Sequence, residues 1–146
     1  MAKILVIHGP NLDLLGKRET DIYGKTDLKT INAAISEKAK SLGVEVESFQ
    51  SNHEGEIVDR IGKSEGIFSA IVINPAAYTH TSVAIRDVIS AVKLPVIEVH
   101  LSNIYAREEF RQKSLISPVV KGTVSGFGPA SYLLGLEAAA EMCKPH

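Results

Sequence analysis

The chain has 146 residues, of which 45% are hydrophobic and 23% charged, with a formal net charge of −1 and a single cysteine. This length and balance fit one globular domain, and we expect a single catalytic domain over residues 1–146. The near-neutral charge argues against nucleic acid or an anionic membrane as a partner. The lone Cys143 excludes a disulfide within the chain, and no run approaches the ~20 apolar residues of a membrane span. With no signal-peptide pattern at the start, a cytoplasmic location is expected.

Short β-rich segments alternate with amphipathic helical patterns along the chain. The predicted strands cover residues 3–8, 44–50, 70–73, 96–101 and 119–124. The predicted helices cover residues 27–42, a segment opening at 51–54, residues 81–92, and a last segment opened by Pro129. Asp27 and Gly43 have the residue types that begin and end a helix. The alternation predicts an α/β fold with a doubly wound sheet of five parallel strands, order 2-1-3-4-5, and helices on both faces.

Polar residues collect where the predicted strands end. Four of the five histidines follow this pattern: His8, His53, His80 and His100. Asn11, Asn74 and Ser102 lie in the same positions relative to the strands. Ligands of doubly wound folds bind beyond the carboxyl ends of the strands. A structural role is the commoner explanation for any one of these histidines, but four together favour a functional site at this edge.

Glu98 and His100 are two residues apart on the fourth predicted strand, so their side chains point to one side. A carboxylate beside an imidazole orients the ring and favours its protonated form, which suits a proton donor. The same pair could instead supply two ligands of a metal site with His80 as a third, although zinc sites usually have three or four ligands.

Arg107 and Arg111 are four residues apart and would share one face of a helix. The planar guanidinium suits a carboxylate ligand. The competing interpretation is a surface ion pair, for example between Arg111 and Glu108. Phosphate binding is not supported, because the glycine-rich stretch 122–128 fits neither the dinucleotide nor the P-loop pattern.

The polar stretch after the first strand is long for a strand–helix connection. It carries Arg18 and Tyr23. Long loops at an active edge are often lids, so residues from about 11 to 25 are predicted to be an active-site lid, with a surface loop as the alternative.

Five segments closely resemble the type II 3-dehydroquinate dehydratases. They are HGPNLDLLGKRETDIYG (8–24), QSNHEGEIVDRI (50–61), INPAAYTHTSVAIRD (73–87), IEVHLSNIYAREEFRQKSLISPV (97–119) and GTVSGFGPASYLLGL (122–136). The resemblance covers nearly the whole chain in order. One departure is Ala76, where many members of the family have glycine.

The resemblance implies a flavodoxin-like fold and a homo-oligomer, a dodecamer built from trimers. It implies the reversible dehydration of 3-dehydroquinate to 3-dehydroshikimate in the shikimate pathway of aromatic amino-acid biosynthesis, through an enolate and with no metal or cofactor. An iminium route would need a well-placed lysine, and the lysines here fall mostly in helices, loops or strand starts.

The catalytic roles implied by the resemblance fall on five residues. Tyr23 is the base, Arg18 its activator and His100 the acid. Asn11 stabilises the enolate through a water, and Glu98 supports His100.

The resemblance also implies substrate contacts and supporting residues. The substrate contacts are Asn74, His80, Ser102, Arg111 and the backbone of Leu101. Asp87 and Arg107 are supporting residues near the lid and the subunit contact.

Two other classes of function remain open on the sequence. The first is a non-catalytic flavodoxin-like module that binds a small ligand such as a nucleotide or flavin; the chain has no tryptophan to stack on a flavin. The second is a metal-dependent hydrolase.

Overall fold

The computed structural model describes residues 1–17, 21 and 26–144. In this part of the chain a five-stranded sheet has the order β2-β1-β3-β4-β5, and every neighbouring pair is parallel. The strands are β1 Lys3–His8, β2 Glu45–Gln50, β3 Ala70–Asn74, β4 Val96–His100 and β5 Gly122–Ser125. The predicted fold class and strand order are confirmed.

Four α-helices pack against this sheet in the described residues: α1 Leu28–Leu42, α2 Glu54–Gly62, α3 Val83–Ala91 and α4 Ala130–Met142. The predicted ends of α1 are confirmed. The Asp27 side chain accepts a hydrogen bond from the backbone N–H of Thr30, and Gly43 ends the helix with a φ of 70°. None of the described helices is both long and apolar enough to cross a membrane.

The hydrophobic core forms two layers, one on each face of the sheet. On one face, Ile31 and Ile35 of α1 and Leu136 of α4 pack with Val6 and Val72. The opposite face buries these side chains of β1, β3, α2 and α3 together: Leu5, Ile7, Ile71, Ile73, Ile57, Ile61, Ile85 and Ile89. Because β1 and β3 are covered on both faces of the sheet, their sequences are nearly continuous apolar runs.

The segment between β4 and β5 differs from the sequence prediction in two places. The predicted fifth strand started at Val119, but Ser117–Val119 is a short 3-10 turn and β5 begins at Gly122. Pro118 lies in the first turn of that 3-10 segment, and proline cannot donate to a sheet ladder. Arg107 and Arg111 do not share one helix, because Arg107 ends the turn Ile104–Ala106 and Arg111 lies in a second turn, Glu109–Arg111.

The carboxyl ends of the central strands lie side by side. His8 of β1 is in register with Asn74 of β3, and the backbone N–H of Gly9 donates to the Asn74 carbonyl at 2.8 Å. A Cβ on Gly9 would lie 2.5 Å from the carbonyl oxygen of Pro75, so only glycine allows the chain to leave β1 this close to β3. The turns after β1, β3 and β4 are thereby held against one another.

Candidate active site

A cavity of about 120 Å³ opens where β1, β3 and β4 end. Eight of the residues implicated by the sequence line it: Asn11, Asn74, His80, His100, Leu101, Ser102, Arg107 and Arg111. Apolar residues from the turns after β1 and β3, Leu12, Leu15 and Ala76 among them, complete the wall. The cavity therefore combines hydrogen-bonding groups and cations with an apolar surface, as sites for small organic ligands do.

Glu98 and His100 meet as the strand alternation predicts. Both are buried, with 0% and 6% of their surface exposed, and the His100 ring hydrogen-bonds through Nε2 to Glu98 Oε2. Since Nε2 is engaged, Nδ1 is the ring nitrogen left for a ligand in the cavity. The carboxylate therefore fixes the orientation of the imidazole.

Two serines hold the buried Glu98 carboxylate. Ser114 donates to Oε2 at 3.0 Å and Ser117 donates to Oε1 at 2.8 Å. The Ser114 hydroxyl oxygen also accepts the backbone N–H of Ile116 at 3.1 Å, so it is itself fixed by the turn. A buried carboxylate needs such donors, because burial without partners is costly for a charge. Sequence reasoning missed both serines: they lie within the segment 97–119 that carries the resemblance, but away from any strand end.

The two arginines form a cationic wall. Arg111 Nε pairs with Glu108 Oε2 at 2.7 Å, so the predicted surface ion pair exists, yet Arg111 also lines the cavity. Arg107, 12% exposed at its side chain, lies 3.9 Å from Glu108 Oε1 and donates to the Ser102 hydroxyl at 3.5 Å. The hydrogen bond from Arg111 lowers the pKa of Glu108. Glu108 stays outside the cavity lining and orients the guanidinium of Arg111 from the exposed side.

His80 is anchored through one of its ring nitrogens. Its Nδ1–H donates to the Lys113 carbonyl at 2.8 Å. Burial lowers the pKa of His80, and the positive charges of His100, Arg111 and Arg107 lower it further, against the opposing effect of that hydrogen bond. The lowered pKa favours the neutral ring, in which Nδ1 carries the proton and Nε2 is an acceptor that suits a ligand hydroxyl.

The turns that carry Asn11 and Asn74 contain the two non-glycine residues with positive φ in the described chain, Asn11 at 67° and Ala76 at 52°. The backbone N–H of Asn11 donates to Asn52 Oδ1 at 2.9 Å. The backbone N–H of Ala76 donates to Asn74 Oδ1 at 3.0 Å. Side-chain hydrogen bonds thus support both left-handed residues, and the conformation at Ala76 is one that glycine adopts without strain.

Several residues implicated by the sequence lie elsewhere. Asp87 is an exposed residue of α3 and does not line the cavity. His53 is exposed at the start of α2 and does not line the cavity, whereas His8 is fully buried beneath the cavity, so the structural explanation fits His8. Arg18, Tyr23 and most of the predicted lid lie outside the described residues; within the lid, Leu12–Leu14 forms a 3-10 turn.

The described residues do not gather three or more histidine, cysteine, aspartate or glutamate side chains in a group that could hold a metal ion. Both oxygens of Glu98 are already engaged by His100, Ser114 and Ser117. The donor set around the cavity is that of a proton-transfer site beside an anion-binding wall.

The fold and the cavity together define a doubly wound α/β protein with an acid–base site at the carboxyl edge of its sheet. The family described as Dehydroquinase class II matches residues 2–140. The chain therefore belongs to the class II dehydroquinase family.

Individual proteins of known name resemble the chain over nearly its full length. The 3-dehydroquinate dehydratase of Geotalea daltonii is 61% identical over 136 residues, covering 93% of this chain and 94% of that protein. That of Gloeothece citriformis is 60% identical over 138 residues, covering 94% and 91%. The crystal structure of the type II dehydroquinase from Butyrivibrio crossotus is 46% identical, with a TM-score of 0.92 and coverage of 94% and 97%. That from Propionibacterium acnes is 42% identical, with a TM-score of 0.93 and coverage of 97% of each chain.

Proposed function

We propose that this chain catalyses the reversible dehydration of 3-dehydroquinate to 3-dehydroshikimate in the shikimate pathway, as a hydro-lyase that uses neither metal nor cofactor. Membership of the dehydroquinase family supports the reaction. The observation that carries the proposal is that His100, paired with the buried Glu98, lines the same cavity as two arginines. In this proposal His100 is the proton donor and the two arginines form the wall that binds a carboxylate.

The reaction needs a base, an acid and an anion site. A base removes the proton beside the ketone, and the electron pair becomes an enolate. The enolate then expels the β-hydroxyl, which takes a proton and leaves as water. We assign the base to Tyr23, prepared by Arg18, and the acid to His100, with Asn11 stabilising the enolate through a water.

The remaining cavity residues hold the substrate in this scheme. Arg111, the Ser102 hydroxyl and the backbone of Leu101 bind the carboxylate. Asn74 and the acceptor nitrogen of His80 bind substrate hydroxyls or oxygens. Binding at several points fixes the ring relative to the acid and the base, which is a large part of the rate enhancement in such sites. Arg107 supports this wall through Ser102, and Asp87 keeps the supporting role near the subunit contact that the resemblance implies.

We further propose the assembly and location implied by the family resemblance. The homo-oligomer is a dodecamer of trimers, and the exposed rings of Phe110 and Phe127, 63% and 65% accessible in the single chain, support burial between subunits. The cytoplasmic location stays a prediction.

The function is tested by the ultraviolet absorbance of the conjugated enone that forms from 3-dehydroquinate. The purified protein is expected to form this product at full rate in EDTA and after borohydride treatment with substrate present. No lysine of the described residues lines the cavity, which supports an enolate over an iminium intermediate.

Each other outcome of that assay points to a different class of function. Loss of rate in EDTA would indicate a metal-dependent enzyme, and inactivation by borohydride with substrate would indicate an iminium intermediate. Absence of the enone, particularly from a yellow protein, would favour a flavin-binding module and contradict the proposed function.

Arg111→Ala is expected to raise KM for 3-dehydroquinate about 10- to 100-fold, with a smaller effect on kcat. A charged hydrogen bond contributes about 1.5–3 kcal/mol, which corresponds to that range. Glu108 occupies Nε at 2.7 Å, so the two terminal nitrogens remain for the substrate carboxylate. Arg111→Lys should not restore KM, because lysine lacks the fork.

The matched control for this prediction is Arg60→Ala. Arg60 is also paired with a glutamate, Glu47, but does not line the cavity. Steady-state kinetics of the three variants decide the assignment. An unchanged KM in both Arg111 variants would mean that another group binds the carboxylate.

A further inference from the structure

A row of buried polar side chains runs beneath the cavity to Asn74, and two of its members, His8 and Tyr132, take no part in the scheme above. His8, Tyr132 and Asn74 have 0%, 1% and 3% of their surface exposed. The Tyr132 hydroxyl lies 2.7 Å from His8 Nδ1, and His8 Nε2 lies 2.8 Å from Asn32 Oδ1 of α1. The His8 and Tyr132 rings also pack against each other, with centroids 5.0 Å apart. The row thus joins β1, β3 and two helices at the floor of the cavity.

The direction of each hydrogen bond in the row follows from the groups involved. Burial lowers the pKa of His8 to about 4, with the hydrogen bond to Asn32 opposing that shift, so the ring is neutral near pH 7 and carries one N–H. Asn32 Oδ1 is an acceptor, so the proton is on Nε2. His8 Nδ1 therefore accepts, and the Tyr132 hydroxyl must donate to it.

The Tyr132 oxygen, having donated its proton, accepts from Asn74. Burial raises the pKa of Tyr132, and the hydrogen bond from the Asn74 side chain opposes that shift. The amide oxygen of Asn74 is already used, because it accepts the backbone N–H of Ala76 at 3.0 Å. The Asn74 amide therefore faces Tyr132 with one N–H, and its second N–H remains for the cavity that Asn74 lines.

The oxygen and the nitrogen of an asparagine amide have nearly the same shape, so packing alone does not decide which of them faces a ligand. We infer that His8 and Tyr132 are positioning residues that fix the Asn74 amide with an N–H donor, rather than its carbonyl, directed at a substrate oxygen. The inference rests on the proposed function, since Asn74 is a substrate contact there. His8 and Tyr132 touch no substrate and act through Asn74.

The test is a double-mutant cycle between Tyr132→Phe and Asn74→Ala, measured as kcat/KM for 3-dehydroquinate. Tyr132→Phe keeps the ring and removes only the hydroxyl. It is expected to lower kcat/KM about tenfold, the loss associated with one uncharged hydrogen bond. In the Asn74→Ala background the same change should lower kcat/KM less than twofold, because the group through which Tyr132 acts is gone. Equal losses in both backgrounds would overturn the inference.

A second variant separates positioning from stability. Tyr132→Phe leaves the buried His8 Nδ1 without a donor, whereas His8→Leu with Tyr132→Phe replaces both partners by apolar groups. The double variant is expected to melt closer to wild type while kcat/KM stays low; recovery of kcat/KM together with the melting temperature would show a purely structural role. Tyr105→Phe, at a ring that is 71% exposed, is the matched control and should change neither quantity. An inactive wild-type chain would contradict the proposed function, whereas an active wild type with equal losses contradicts this inference alone.

Discussion

Tyr23→Phe is expected to abolish turnover of 3-dehydroquinate while leaving substrate binding largely intact. The proposed base must be a phenolate, and an unperturbed tyrosine has a pKa near ~10. Ionising it at neutral pH requires about 4 kcal/mol of preference for the anion. A nearby cation typically lowers a pKa by ~1–3, so Arg18 supplies most of this preference, and burial without the arginine would act in the opposite direction. The measurement is kcat by the enone assay, with the Kd of 3-dehydroquinate measured separately.

The partner variant Arg18→Ala should raise the pKa of the base, and therefore move the acidic limb of the pH–rate profile to higher pH and lower the rate at neutral pH. Lys17→Ala, which removes the adjacent cation at an exposed position, is the matched control and should leave the profile in place. If Tyr23 only packs a lid, Tyr23→Phe will retain most activity and the Arg18 variant will show an unmoved profile. Both residues lie outside the described part of the chain, so these kinetics are the direct evidence for their roles.

The sequence predicted the sheet because its signals are local. The apolar run of β3 is buried on both faces, and the ends of α1 are set by Asp27 and Gly43 within one turn of each end. The predicted start of β5 was wrong because the apolar residues before Gly122 belong to a 3-10 turn around Pro118 and are not paired in the sheet. Periodicity cannot distinguish these two uses of a short apolar run.

The site was predicted in part for the same reason. The carboxyl edge of a parallel sheet gathers the strand ends, and this rule alone places His100 and Asn74 at one cavity. The rule does not say whether a strand-end side chain faces the ligand or the core. His8 ends β1 in register with Asn74, yet it is buried against Tyr132, which lies 124 residues further along the chain.

Hydrogen-bond partners that are far apart in the chain could not be predicted from the sequence. Ser114 and Ser117 contact Glu98 from the connection between β4 and β5, and Asn52 contacts the backbone of Asn11 from the turn after β2. Each contact depends on how loops cross the sheet edge, which residue spacing does not encode. The pattern of polar and apolar residues indicated which side chains would form the site, whereas the contacts that orient those side chains are seen only in the folded structure.

Among the described residues, His100 is the one whose substitution is expected to lower the rate most, because Glu98, Ser114 and Ser117 fix its ring. Its Nε2 is bound to a carboxylate that is fully buried and accepts two hydroxyl hydrogen bonds, so the ring has one orientation and presents Nδ1 to the cavity. A general acid fixed in this way contributes about 10²–10⁴-fold to the rate. His100→Ala is therefore expected to lower kcat by about 10²–10⁴-fold, since the leaving hydroxyl must then depart without a positioned proton.

The supporting carboxylate gives this prediction its control. Glu98→Gln retains the shape of the side chain but removes the carboxylate that orients the His100 ring, so kcat should fall by less than in His100→Ala. His53→Ala removes an exposed histidine outside the cavity lining and should leave kcat unchanged. Near-normal turnover in a folded His100→Ala protein, judged by its melting temperature, would assign the acid to another group. The pKa of His80 is lowered, chiefly by burial, and its Nδ1–H donates to the Lys113 carbonyl, so His80 is a poor replacement for the donor and the loss at His100 should not be masked.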